Sequence, residues 1–374
     1  MVVAGTRPEA VKVAPLVLEL QQREWCEPFL VVTGQHREML RQTLRFFGLR
    51  PDADVDLQSE RQTLADVTAK ALLGLMPVMA DLRPDVVVVQ GDTTSTFSGA
   101  LAGFYSGVRV VHLEAGLRTG NVFEPFPEEV NRRLTSVLTT LHLAATQGAR
   151  ANLLAEGIAR SATLVTGNTV IDALRFAVAK AEPYGVPELE ELDASGRRVV
   201  LVTAHRRESW GDGMDRIGRA LATLAVRHPM VTIVFPIHKN PVVRESIVKH
   251  LVGRPNVIIT EPLDYGAFCR MMNRSTVVLT DSGGVHEEAP ALGKPVLVMR
   301  DRTERPEAVE SGVAQLVGTD ERRIVESVDA LLTRRDLRDL PHRSPYGDGL
   351  AAARCADAIA AMVTGGLMPT EFAF

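Results

Sequence analysis

The sequence predicts an α/β protein built from two Rossmann-like, doubly wound domains, and three observations carry that prediction. Short β-branched runs such as residues 86–89 (VVVV) and 109–113 (RVVHL) have the length and composition of buried parallel strands. Runs of this kind alternate with helix-length stretches along most of the chain, as βαβ units do. The alternation pauses over residues 181–197, AEPYGVPELEELDASGR, which are polar, acidic and aperiodic, and then restarts. That stretch reads as a linker. With 374 residues, the chain is also too long for one ordinary core.

Composition narrows the function classes. Hydrophobic residues make up 45% and charged residues 24%, the balance of a soluble globular protein. The formal net charge of −4 gives no electrostatic reason to expect nucleic acid or an anionic membrane as partner. A phosphorylated ligand would have to be held by local cations and helix N-termini. Cys26, Cys269 and Cys355 are few, far apart and odd in number, which fits reduced thiols in the cytoplasm. No apolar run approaches the roughly 20 residues of a membrane span, and the N-terminus lacks a signal-peptide core. Zinc-type Cys/His spacing is absent, so no metal is expected.

Taken in order, residues 1–4 are a short strand, and Gly5-Thr6-Arg7-Pro8-Glu9-Ala10 turns into an apolar helix. Pro8 suits a first helical turn, because its missing N–H has no partner to lose there. Arg7 and Lys12 lie at the start of that helix, where cations make sense if they face an anion bound at the N-terminus. Residues 29–33 form a second strand. A long helix is expected over 61–82, with Pro77 inside it, before the strands at 86–89 and 109–113. Strands at 141–146 and 163–166 close the first half. The second half shows strands at 199–203, 231–236, 257–260, 277–280 and 295–299, with helices between them. Gly347, Gly349 and Ala352 match G-x-G-x-x-A, but that loop follows no strand, so it reads as a hinge rather than a dinucleotide site.

The candidate site begins where strands end. Asp92 follows Gln90-Gly91, and Glu114 precedes Ala115-Gly116. In an open α/β sheet, ligands bind outside the carboxyl ends of the strands, so both carboxylates face one crevice. Glu128-Glu129 follows Pro125 and Pro127 and opens a helix, a place where an acid also serves the helix dipole. Three acids beside neighbouring strands make a site the better reading than three isolated caps. In the second half, Ser282-Gly283-Gly284 follows a strand and opens a helix, so backbone N–H groups can approach phosphate oxygens. Glu288 lies one turn on and suits ribose hydroxyls. Arg305 follows the next strand. His205, at a strand end beside Arg206 and Arg207, can pair with a diphosphate or move a proton. Phe268 can stack on a base or fill the core.

GTRPEAVKVAPL, TGQHREML, QGDTTST, HLEAGLRTGN, PEEVNRR, TAHRRES, DSGGVHEE and TERPEA together resemble the non-hydrolysing UDP-N-acetylglucosamine 2-epimerases of bacteria, from about Gly5 to the C-terminal helix. The resemblance implies a glycosyltransferase-B arrangement with the active site in the interdomain cleft. It implies an N-terminal domain over 1–170 onto which the segment 350–374 packs back, a UDP-binding domain over 171–349, and a homodimer. It implies Asp92, Glu114, Glu128 and His205 as the catalytic set. Arg7, Lys12, Ser282, Gly283, Gly284, Glu288 and Arg305 would hold UDP, with Phe268 against the uracil. A second UDP-N-acetylglucosamine would act as allosteric activator at Gln35, Glu38, Arg61, Glu129, Arg206 and His238. Two departures stand out. Relatives of this type usually begin several residues earlier, so the short first strand suggests a trimmed or misassigned start. His286 also stands where many of them carry Gln.

Inverting C2 of an N-acetylhexosamine is awkward, because its C–H is not alpha to a carbonyl. Oxidation at C3 would need NAD, and no dinucleotide fingerprint sits on a βαβ unit, so no cofactor is expected. Breaking C1–O first makes the C2 proton removable, giving 2-acetamidoglucal and UDP, and re-addition then yields UDP-N-acetylmannosamine. That route needs a base on each face of the ring and cations for the leaving diphosphate. Which acid serves which face stays open at this stage, as does the glycan pathway served; a cell-envelope polysaccharide is the class expected. A UDP-sugar glycosyltransferase on the same scaffold, a hydrolysing 2-epimerase and a non-catalytic UDP-sugar sensor are the rival readings.

Overall fold

The computed structural model describes residues 1–34, 37–56, 62–303, 305–334 and 344–374. It divides into two compact units, Met1–Ala173 with Tyr346–Phe374, and Leu174–Pro345.

The first unit contains β1 (Val2–Ala4), α1 (Arg7–Gln21), β2 (Leu30–Val32), α2 (Arg37–Phe46), β3 (Ala53–Asp54), α3 (Leu64–Leu82), β4 (Val86–Gln90), α4 (Thr94–Tyr105), β5 (Arg109–Ala115), α5 (Glu128–Leu138), β6 (Leu141–Ala144), α6 (Gln147–Ala155) and β7 (Thr163–Val165). Its seven strands are parallel, in the order β3-β2-β1-β4-β5-β6-β7. Strand order reverses between β1 and β4, the kind of switch point beside which α/β sheets bind ligands. Buried on both faces, the central strands read as continuous apolar runs, and Val3, Val31, Val87, Val89 and Val110 pack with Leu75 and Met79 of α3.

Helix starts follow from capping chemistry. Thr6 begins α1 in a reciprocal box, its side chain accepting from the Glu9 N–H while the Glu9 carboxylate accepts from the N–H groups of Gly5 and Thr6 at 2.8 and 2.6 Å. Thr63 and Asp66 do the same for α3, so that helix starts at Leu64 rather than at the expected residue 61. Such caps are each worth about 1 kcal/mol.

The second unit contains α8 (Pro187–Ala194), β8 (Arg198–Thr203), α9 (Asp212–Arg227), β9 (Val231–Pro236), α10 (Pro241–Leu251), β10 (Val257–Thr260), α11 (Tyr265–Arg274), β11 (Val277–Thr280), α12 (Gly283–Ala291), β12 (Val296–Val298), α13 (Pro306–Glu310), β13 (Ala314–Leu316) and α14 (Glu321–Thr333), while α7 (Thr169–Lys180) holds the boundary between the units. Its six parallel strands run β10-β9-β8-β11-β12-β13, with the reversal between β8 and β11. Residues 181–197 are not the structureless linker expected. They hold α8, whose Leu189 and Leu192 are buried, and Asp193 of α8 accepts from Arg270 of α11 at 2.8 Å.

The last helix, α15 (Ala351–Thr364), belongs to the first unit and packs on α1. Asp172 accepts the N–H groups of Ala351 and Ala352 at 3.3 and 2.9 Å, and burial pushes its carboxyl up to about 6. The Phe372 N–H then donates to the Val165 carbonyl at 2.8 Å, holding the tail against β7. No helix among the described residues is long and apolar enough to cross a membrane.

Candidate active site

In the first unit the acids gather at the carboxyl ends of β4 and β5. Glu114 is the last polar residue of β5 and sits in a register shift between Leu113 and Ala115 in the pairing with β6, with φ of 64°. A non-glycine residue rarely adopts that conformation, and a bulge of this kind re-aims a side chain. The aim is clear from its partners. Lys12 Nζ of α1 lies 2.5 and 2.6 Å from the two carboxylate oxygens, Asn168 Nδ2 donates at 3.0 Å, and Gln90 Nε2 donates as well. Lys12, expected on the UDP phosphates, is thus drawn to an acid of the same unit.

Asp92 lies just past β4, after Gly91 at φ 74°. Arg132 of α5 grips its Oδ2 through Nη2 at 2.6 Å and Nε at 2.9 Å, and Asn131 Nδ2 donates to its backbone carbonyl at 3.0 Å. Beneath it, His112 of β5 reaches the Gly91 carbonyl with Nε2 at 2.7 Å, so that nitrogen carries the proton. Burial drives the His112 imidazolium down to about 4 and that of its cross-strand neighbour His142 to about 3, so both rings are neutral.

Glu128 and Glu129 open α5 and meet different fates. Glu128 Oε2 is buried without a hydrogen-bond partner among the described residues. An orphaned carboxylate oxygen costs free energy unless a proton or ligand meets it. Glu129 is fully buried and occupied. It accepts from Thr119 N–H at 3.0 Å, Gly120 N–H at 3.4 Å and both Arg132 and Arg133. Burial alone would raise its carboxyl, but these donors, Thr119 foremost, hold it below the usual range. Arg7 is exposed at the start of α1, and Glu38 is exposed on α2 beside Arg45. Gln35 and Arg61 lie outside the described residues.

In the second unit the residues meet at the switch point between β8 and β11. His205 follows β8, with Nδ1 3.1 Å from Asp281 Oδ1, while Asp281 Oδ2 accepts the N–H groups of His205 and Arg206 at 2.7 and 2.8 Å. Burial pushes the Asp281 carboxyl up, yet the His205 and Arg206 donors outweigh it and hold it low. His238, beyond β9, stacks on His205 with ring centroids 5.7 Å apart, and burial, with His205 next, lowers its basicity.

Ser282 leads α12 in, followed by Gly283 and Gly284. A Cβ on Gly283 would lie 2.6 Å from Arg305 Nη1 and 3.5 Å from Arg206 Nη2, so two guanidinium groups crowd the helix N-terminus. Arg305 is also paired through Nε with the Glu287 carboxylate, and cations over a glycine backbone at a positive helix end are an arrangement that suits an anion. Arg206, expected at the activator site, is therefore placed with Arg305. Glu288 is buried one turn on, 3.3 Å from the Tyr265 hydroxyl, and Phe268 is half-buried on α11.

Comparison with known proteins decides the family. The family model for UDP-N-acetylglucosamine 2-epimerase matches residues 18–360. The chain belongs to the UDP-N-acetylglucosamine 2-epimerase family. The epimerase of Yersinia pestis is 48% identical over 369 residues, covering 96% of this chain and 97% of its own. That of Escherichia coli K12 is 46% identical over 374 residues, again with 96% and 97% covered. Among solved structures, the UDP-GlcNAc 2-epimerase of Neisseria meningitidis bound to UDP-GlcNAc superposes with a TM-score of 0.85 at 42% identity, covering 96% of this chain and 98% of that one.

For this family member, reading the sequence missed Arg132, Asn131, Asp281 and Asn168 as partners of the site. Arg132, Asn131 and Asp281 stood inside quoted motifs, and the signal lay in their being side chains that a buried acid or imidazole would need.

Proposed function

We propose that this protein interconverts UDP-N-acetylglucosamine and UDP-N-acetylmannosamine without hydrolysis, by elimination of UDP to 2-acetamidoglucal and re-addition. The observation that carries the reading is the set of three carboxylates, Asp92, Glu114 and Glu128, brought to adjoining strand and helix ends of one sheet, two of them beside a cation. Elimination at C1–C2 removes one proton and expels UDP. Re-addition returns a proton to C2 and the diphosphate to C1, so no redox cofactor is required. Asp92 and Glu128 exchange the C2 proton, Glu114 steadies positive character at C1, and Arg305, Arg206 and the α12 N-terminus take the charge of the departing diphosphate. His205, oriented by Asp281, attends the leaving group as a proton donor. Incubation with UDP-N-acetylglucosamine alone, followed by the anomeric proton signals, tests this. A second UDP-sugar signal supports it, and free N-acetylmannosamine or an unchanged spectrum refutes it.

The same reading includes a homodimer, activation by UDP-N-acetylglucosamine, and work in the cytoplasm. Leu73 of α3, Phe104 and Tyr105 of α4, and Leu134 and Val137 of α5 are exposed on three helices that pack side by side, an apolar surface suited to a second copy. Sedimentation at one protomer mass would remove the dimer. The activator site in this reading comprises Gln35, Glu38, Arg61, Glu129, Arg206 and His238. Hyperbolic kinetics in both directions, unchanged in His238→Ala, would remove activation. The three cysteines are free thiols, in keeping with a reducing compartment. Export of the protein in a fractionated culture would remove that assignment.

A further inference from the structure

We infer that Arg132 is a positioning residue that sets the spacing between Asp92 and Glu128, and that Asp92 Oδ1 is the oxygen that meets the substrate. The inference deepens the proposed function and rests on it. Arg132 stands four residues after Glu128 on α5, one helical turn away on the same face. Its guanidinium takes Asp92 Oδ2 twice, through Nη2 at 2.6 Å and Nε at 2.9 Å. Asn131, its neighbour, holds the Asp92 backbone carbonyl at 3.0 Å. One turn of helix therefore carries Glu128 and grips Asp92 at both side chain and backbone.

The grip is itself anchored. Arg132 Nη1 lies 3.2 Å from Glu129 Oε2, and Glu129 accepts the backbone N–H groups of Thr119 and Gly120 in the β5–α5 connection. The Arg132 side chain is 8% exposed and that of Glu129 is 0%, so solvent cannot substitute for either partner. Both donors on Asp92 fall on Oδ2. Oδ1 has no hydrogen-bond partner among the described residues, and the Asp92 side chain keeps 26% of its surface open. A carboxylate tied at one oxygen keeps its reach fixed and presents the other. A proton acceptor misplaced by about 1 Å can cost on the order of 10²-fold in rate, and the clamp is what prevents that displacement.

The test compares Arg132→Met, Arg132→Lys, Asp92→Asn and the double variant Asp92→Asn/Arg132→Met. Turnover should fall about 10²-fold in Arg132→Met, with UDP affinity by calorimetry and KM within about threefold of the parent. Arg132→Lys, which keeps a cation within reach of Oδ2, should recover at least tenfold of that loss. The double variant should be no slower than Asp92→Asn, because Arg132 acts only through Asp92. Removing Arg132 leaves the Glu129 carboxylate short of a donor. Arg132→Met is therefore repeated with Glu129→Gln, and each variant is checked for a native melting transition. Full turnover in folded Arg132→Met/Glu129→Gln, or losses that multiply in the double variant, would overturn the clamp while leaving the epimerase reading intact. An active Asp92→Asn would instead overturn the reading of Asp92, and the clamp with it.

Discussion

His112 and His142 form a buried, neutral pair whose cost appears when the solution turns acid. They sit side by side on β5 and β6, each 1% exposed. Burial lowers their folded values from 6.5 to about 4 and about 3, with Arg118 adding to both and His112 adding to His142. As pH falls below 6.5, the unfolded chain binds protons that the folded one refuses, so stability drops with pH until the folded values are reached. Between pH 7 and pH 5 each ring should account for about 2 kcal/mol of lost stability. Asp172 works in the opposite direction in the same window, since its folded value is raised to about 6. The readout is therefore a difference. His142→Gln keeps a polar side chain and removes the titration, so its stability should fall by about 2 kcal/mol less than the parent's between pH 7 and pH 5. His142 is the better choice, because His112 also holds the Gly91 carbonyl beside Asp92. Trp25 lies in the first unit and Trp210 in the second. Urea unfolding followed by Trp25 fluorescence in a Trp210→Phe background therefore reports the unit that matters. Equal pH dependence in parent and variant would refute the reasoning, as would imidazole carbon signals that all titrate near pH 6.5.

Other consequences follow from the same geometry. Asp92→Asn should cost about 10²- to 10⁴-fold in turnover as a lost proton acceptor, and Glu114→Gln about 10²- to 10³-fold as a lost charge beside C1, each with little change in UDP affinity by calorimetry; near-parental turnover would remove that residue from the chemistry. Gly283→Ala places a methyl 2.6 Å from Arg305 Nη1. Displacing one charge-assisted contact should weaken UDP about tenfold or more, and an unchanged dissociation constant would deny Arg305 its phosphate role. Asp281→Asn removes the carboxylate charge 3.1 Å from His205 Nδ1, and turnover should fall by about 10²-fold with folding retained; an unchanged rate would make the His205–Asp281 contact structural only.

Much of the fold was legible because strands buried on both faces must be apolar along their whole length. Val86–Gln90 and Arg109–Ala115 announce themselves in this way, and Asp92 and Glu114 lie at their carboxyl ends. Two strands escaped notice, Ala53–Asp54 and Ala314–Leu316, since two or three residues carry no pattern. Residues 181–197 misled because charge, Pro and Gly surround the two leucines, spaced i and i+3, that bury α8. The site was legible as a list of acids and glycines, but not as a set of pairs. Nothing local says that Lys12 will meet Glu114, 102 residues away, or that Arg132 will meet Asp92. Such partnerships depend on which strands become neighbours. Glu129 shows the converse: beside Glu128 it reads as a second ligand contact, whereas its carboxylate is spent on Thr119, Gly120, Arg132 and Arg133.

In the proposed elimination and re-addition, a proton leaves C2 and another returns while UDP is detached. Epimerisation of UDP-N-acetylglucosamine in heavy water tests it most directly, with the product examined by proton NMR and mass spectrometry. The expected product is UDP-N-acetylmannosamine carrying deuterium at C2, with UDP and 2-acetamidoglucal escaping during long incubation. Product that forms with its C2 proton retained would contradict it.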